Sequence, residues 1–373
     1  MQMETVLGQP SWFLQSDRVR AHVTELGGMI GPAEFQIEGD RWVSALHVAP
    51  WAEEDVAGHP AILQALRGDF FCMPFGGFPS EFQGEVYPLH GEPANQRWTR
   101  EAQEAGSLVA CLNTHIRPGR IVKEIELRPG QSAIYSSHTL VGYTGPMTYG
   151  HHQMPRYPSA PESGLVSVSP FLVGQVYDGA FEDPAQGGYT SLQPGAFFDD
   201  LRAVPNQSGG VTDLTRFPAR AGFEDLVTVY SAPGLSLGWS AVVFPREGYA
   251  WFSLRNPATL SGTVIWISNG GRHYAPWSGR HRCLMALEDV LTSVPPGIGP
   301  SVAPNPFSSQ AIPTHVELSP DTPHRIPSIM AVTAVPIGYG RIARIEPESQ
   351  SVVLIDEAGT QVRVNVEPVF LAS

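Results

Sequence analysis

Charge is scarce in this chain: only 16% of its 373 residues are Asp, Glu, Lys or Arg, and the 23 basic residues are outnumbered by 36 acidic ones. A formal charge of −13, with no Lys/Arg-rich run to offset it, rules against a nucleic-acid partner, whose phosphates would be repelled. Cysteine is rarer still. Cys72, Cys111 and Cys283 are far apart and without CxxC spacing, which argues against a disulfide framework or a zinc ribbon and suits a reducing compartment. Long apolar runs are missing too: no stretch approaches the ~20 apolar residues that span a bilayer. The opening MQMETVLGQPSWFLQSDRV has no basic segment followed by an apolar core, so a cytoplasmic protein with no membrane partner is expected. Helical periodicity is almost absent. The best candidate is HPAILQALRG (59–68), with Pro60 suited to a first helical turn and Gly68 placed to end it.

What is present points to strands. Hydrophobic residues make up 42% of the chain, and the 38 glycines and 35 prolines are scattered without period, as in a protein of many turns joining short strands. LVACLNTHI (108–116), VKEIELR (122–128) and AIYSSHTLVGY (133–143) mix β-branched and aromatic residues with polar ones between turn signals, and read as successive antiparallel strands. LVTVYSAPGLSLGWSAVVF (226–244) reads as two strands around Ala-Pro-Gly, and VVLIDEAGTQVRVNV (352–366) as a cleaner hairpin. The proline-rich PPGIGPSVAPNPF (295–307) reads as a long surface crossing. The expectation is all-β: a single large antiparallel β-sandwich over 1–373, with 308–373 a C-terminal extension completing its sheets.

Three islands carry candidate chemistry. In the first, LRGDFFCMPFGGFP (66–79) precedes His90-Gly91, at a strand-to-loop junction, and then Trp98. In the second, TYGHHQMPRYP (148–158), His151 and His152 follow a strand; adjacent strand residues point to opposite faces, so at most one of them aims into a given cavity. In the third, Glu288 and Asp289 interrupt the apolar strand CLMALEDVL, in which Cys283 reads as a small buried hydrophobe. A carboxylate inside such a strand either turns outward or is buried with a raised pKa, the condition for a base useful near neutral pH.

Together these islands resemble the aldose 1-epimerase (galactose mutarotase) superfamily. The similar features are Arg67-Gly68, MPFGG (73–77), His90-Gly91 and Trp98; the GHH of 150–152; and VIWISNGG followed by CLMALE. The resemblance implies a galactose mutarotase-like β-sandwich that interconverts sugar anomers by acid/base ring opening, with Glu288 as base and His152 as acid on different sides of the anomeric carbon. It also implies that His90 and Arg67 hold sugar oxygens, that His151 neighbours the site, that Asn95, Arg97 or Arg156 contacts the sugar, and that Asp225 is the acidic binding residue. Trp277, Trp98, Phe75 or Phe78 would offer a platform to the sugar's C–H face. Ala94 stands where relatives acting on hexose phosphates carry arginine, so that route to phosphate recognition is missing. Neither metal nor organic cofactor is implied, and the protein is expected to be a monomer or homodimer whose partner is a small carbohydrate. Two alternatives are a carbohydrate-binding protein of the same fold without turnover, and a metal-dependent cupin-like barrel suggested by twelve histidines. The adjacency of His151 and His152 on a strand argues against the second.

Overall fold

Alternation along a few central strands builds the layers of this protein. In the computed structural model, which describes residues 3–372, strand Leu284–Leu291 lies in a seven-stranded sheet between Gly262–Ser268 and Tyr149–His151. Its odd positions Met285, Leu287 and Leu291 join the main core, while Leu284, Ala286 and Val290 join a second cluster on the opposite face. This strand is buried on both faces, which explains its nearly continuous apolar run.

The main core is closed by a nine-stranded antiparallel sheet, in whose middle Tyr249–Arg255, His324–Ala334 and Ala133–Val141 are neighbours. Trp251, Met330 and Val332 point inward from it, alongside residues of an N-terminal five-stranded sheet (Glu4–Val6 through Arg41–Ser44) that share the same core. On its outer face, Trp239, Phe252 and Ala331 pack against the C-terminal three-stranded sheet of Ile342–Pro347, Val352–Asp356 and Gln361–Val364. The architecture is a mostly-β sandwich of antiparallel sheets with few short helices.

The three strands expected over 108–143 form as Ser107–Thr114, Gly119–Glu126 and Ala133–Val141, in antiparallel succession. The hairpin near the C-terminus forms as well. The expected helix is shorter than its pattern: it spans Ala61–Ala65, and Leu66 rather than Gly68 ends it. Two other expectations are corrected. The Ala-Pro-Gly link at 232–234 joins Glu224–Ser231 of the seven-stranded sheet to Gly238–Phe244 of the nine-stranded one, so it carries the chain between sheets instead of closing a hairpin. The 295–307 segment is not merely a surface crossing. It contains the helix Ile298–Val302 and buries Ile298 and Phe307, the latter against Tyr230.

Candidate functional site

A cavity opens on the face of the seven-stranded sheet away from the main core, under the helix and loops that cover it. It encloses about 710 Å³ of empty space including its mouth. Val264 and Trp266 reach it from one strand and Glu288 from the next, Glu288 standing opposite Val264 in the register. His152 follows the adjacent strand and shares its even-numbered face with Gly150. His151 takes the odd-numbered face and turns into the main core, where its Nδ1 lies 3.2 Å from Asp69 and its ring 5.0 Å from that of His138. Gly150 is what lets these layers approach, since a Cβ there would lie 2.8 Å from Val290 Cγ1 and 2.9 Å from the Phe75 ring.

At the floor, His152 Nε2 and Glu288 Oε1 are 3.2 Å apart, and both residues are almost wholly buried, 3% and 2% exposed. Phe70 stacks on the His152 ring at 4.4 Å, while His90 and Trp266 meet it edge-on at 5.0 and 5.5 Å. His90 is held from behind by Cys72, its Nδ1 being 3.3 Å from the sulfur. Its backbone has φ +57°, in a turn rather than a strand, and the next residue, Gly91, packs so tightly that a Cβ would lie 1.9 Å from the Met73 carbonyl oxygen. Glycine at 91 is therefore what allows the loop to present His90 at this depth.

Burial dominates the electrostatics. It pushes the Glu288 carboxyl well above the ordinary range. It pulls His152 well below its ordinary value, helped by neighbouring His90, and brings His90 down to about 3, helped by Arg272. Both shifts favour the uncharged forms, a protonated Glu288 carboxyl beside a neutral His152 imidazole, with Oε1 and Nε2 3.2 Å apart. The two side chains expected to act as acid and base are direct neighbours at the floor.

The expected site residues divide. His90, His152, Glu288 and Trp277 line the cavity, as do Phe75 and Phe78. Arg67 does not: its guanidinium donates to the carbonyls of Ala65, Val6 and Leu7 at 3.0, 2.9 and 2.7 Å, pinning the N-terminal strand to the sheet. Asn95 ties its own loop, accepting from the Ile62 N–H and donating to the Leu89 and Gly91 carbonyls. Asp225 shares the inward parity of Val227 and Val229 and accepts from Ser191 and Leu192. Trp98 belongs to the main core.

One charged residue in the wall was not anticipated. Arg272 lies over the Trp277 ring at 4.5 Å and donates to Glu182 at 2.6 Å, with Glu224 at 3.9 Å. Burial raises the Glu224 carboxyl to about 7. The sequence signal for Arg272 was its place just after the Gly-Gly turn of the third island; nothing comparable marks Glu182. Among the described residues no group of three or more His, Cys, Asp or Glu converges as a metal site, and no helix is long and apolar enough to cross a membrane.

No protein-family model matches this sequence, and no curated protein matches it significantly. Solved structures do match in shape. A candidate aldose 1-epimerase from Escherichia coli K12 superposes with a TM-score of 0.59 at 14% identity, over 88% of this chain and 100% of its own. The galactose mutarotase related enzyme of Lactobacillus acidophilus gives 0.56 at 10% identity, covering 87% and 98%. A galactose mutarotase-like protein of Lactobacillus casei ATCC 334 gives 0.56 at 12%, covering 86% and 99%. The chain has the galactose mutarotase-like fold. At these identities the likeness extends to the fold alone, and what a mutarotase-like cavity does in this protein must be argued from its own side chains.

Proposed function

We propose that this protein is an aldose 1-epimerase-like isomerase that interconverts the anomers of a small carbohydrate. The observation that carries the reading is the 3.2 Å contact between His152 Nε2 and Glu288 Oε1 at the floor of the cavity. Mutarotation removes the proton from the anomeric hydroxyl while delivering one to the ring oxygen; the C1–ring oxygen bond breaks, the aldehyde rotates about C1–C2, and the ring recloses on its other face. Both oxygens are attached to C1, so a donor and an acceptor standing side by side can serve them together.

With the proton on the carboxyl, Glu288 protonates the ring oxygen and the imidazole takes the hydroxyl proton. In the other tautomer Glu288 is the base and His152 the acid, and reclosure exchanges the roles. The pair ends each cycle holding one proton, as it began. Each such transfer group contributes typically ~10²–10⁴ in rate. His90, free at Nε2 while Cys72 meets its Nδ1, is suited to hold a sugar oxygen, and Trp277 to pack against a C–H face. Arg272 would add a donor at the wall.

Polarimetry or exchange NMR on freshly dissolved aldoses tests the reading. Glu288→Gln is expected to slow anomer exchange by about 10²–10⁴-fold. Unaltered exchange would remove Glu288 from the mechanism, and ligand binding without any exchange in the native protein would make this a carbohydrate-binding protein.

A further inference from the structure

Aliphatic and phenyl side chains make up much of the lining of the cavity. Beyond the His152–Glu288 pair, its charged and imidazole side chains are His90 and Arg272, and the Nε of Arg272 is already committed to Glu182. Much of the remaining wall is hydrocarbon, including Leu63, Leu66, Leu226 and Val264, and beside it Trp266 and Trp277 add aromatic faces and indole N–H donors, that of Trp266 unpartnered. The mouth continues this character. Phe78, 42% exposed, stands 6.0 Å from the Tyr177 ring and 6.1 Å from that of Phe181, a collar through which a ligand passes. A fully hydroxylated hexose enclosed here would turn part of its hydroxyl-bearing surface to the leucine and valine side chains, which can neither donate nor accept, each such hydroxyl leaving behind its hydrogen bonds to water.

We infer that the sugar accepted at this site is one in which hydroxyls remote from the anomeric carbon are replaced by hydrogen or alkyl: a deoxygenated or O-alkylated aldose. The inference rests on the anomer-exchange reading and narrows its substrate class. The polar pair and His90 serve the C1 end, and the leucine, valine and aromatic wall takes the end from which oxygen has been removed.

Anomer exchange is to be measured for matched pairs on the intact protein. The pairs are D-fucose against D-galactose, D-quinovose against D-glucose, L-rhamnose against L-mannose, and 4-deoxyglucose against glucose. Each pair differs by one hydroxyl, so their ratio of kcat/KM cancels everything common to the two sugars. The expected preference for the deoxygenated member, in at least one stereochemical series, lies between roughly 5- and 150-fold, the equivalent of the ~1–3 kcal/mol cost of one unpaired buried hydroxyl. Exchange in which every parent hexose equals or exceeds its deoxy partner overturns this inference and leaves the anomer-exchange reading standing. No exchange with either member of any pair overturns both.

Discussion

Replacing Glu288 by glutamine separates the two ways in which the floor of the cavity can hold its proton. Burial raises this carboxyl well above the 4.5 of a free glutamate, so between that value and its folded one the native state retains a proton that the unfolded chain has released. Stability contributed by such a group is complete below about pH 4.5 and is lost as pH rises, at about 1.4 kcal/mol per pH unit until the folded value is reached. Glutamine has nothing to titrate, keeps the shape, and still offers His152 Nε2 a donor. The stability of Glu288→Gln minus that of the native protein is therefore expected to grow with pH above 4.5, at no more than about 1.4 kcal/mol per pH unit, while anomer exchange falls. Urea unfolding of both proteins at pH 5, 6 and 7 measures it, with the slope of the transition checked for constancy. A difference that stays flat, or a variant less stable by ~3–5 kcal/mol at neutral pH, would mean that the floor is an imidazolium–carboxylate ion pair. The acid-and-imidazole description would then be wrong.

Two further substitutions test the scaffold around this pair. Arg67→Met leaves the carbonyls of Ala65, Val6 and Leu7 without their donor and is expected to cost about 3 kcal/mol in urea unfolding, given ~1–3 kcal/mol for each carbonyl left unpaired and some recovery by water at the partly exposed end. Exchange per folded molecule should persist, and a variant of native stability with lost exchange would return Arg67 to the ligand. Gly150→Ala drives a methyl against Val290 Cγ1 and the Asp289 carbonyl oxygen at 2.8 and 2.9 Å. It should cost about 1–3 kcal/mol and slow exchange by shifting His152 from Glu288, whereas native values for both would show that the strands yield freely there.

How far the sequence discloses this protein depends on the range of the interaction concerned. Strand parity is local, so the divergence of His151 and His152 to opposite faces follows from adjacency, as does the interruption of an apolar strand by Glu288. The three-strand meander over 107–141 and the hairpin over 352–364 are likewise short-range pairings closed by turns. The link at 232–234 is different. Its Ala-Pro-Gly chemistry marks a reversal but cannot say whether the next strand pairs with the last or crosses to the other sheet, because that is decided by strands far away in the chain. Arg67, Asn95 and Asp225 are polar groups near site motifs that prove to satisfy backbone amides and carbonyls. A buried side chain of that kind is indistinguishable in sequence from a ligand contact, since its partners are fixed only when the loops have been folded. Arg272 was obscured for the converse reason: a glycine turn aims it, and turns carry no periodicity.

The sharpest contrast in the molecule lies between consecutive residues. Glu288 and Asp289 share one strand, both are buried, and burial raises both carboxyls. Asp289, on the inner face, receives Arg255 at 2.7 Å and the Ser253 hydroxyl at 2.9 Å. The same layer holds Asp69 against His151 and the chain's single lysine, Lys123, at 3.2 Å from His138. Between the sheets, then, Asp289 has a guanidinium and Asp69 an imidazole fixed beside it. On the outer face Glu288 meets the His152 imidazole, whose pKa burial lowers, and the cavity opens beside the two. A protein seeking stability alone would gain by an apolar residue at 288, as buried ionisable groups without counter-charges cost more than hydrocarbon of the same size. On the function proposed above, the cost falls on the carboxylate of the pair that lines the cavity, where it would pass its proton to an entering sugar.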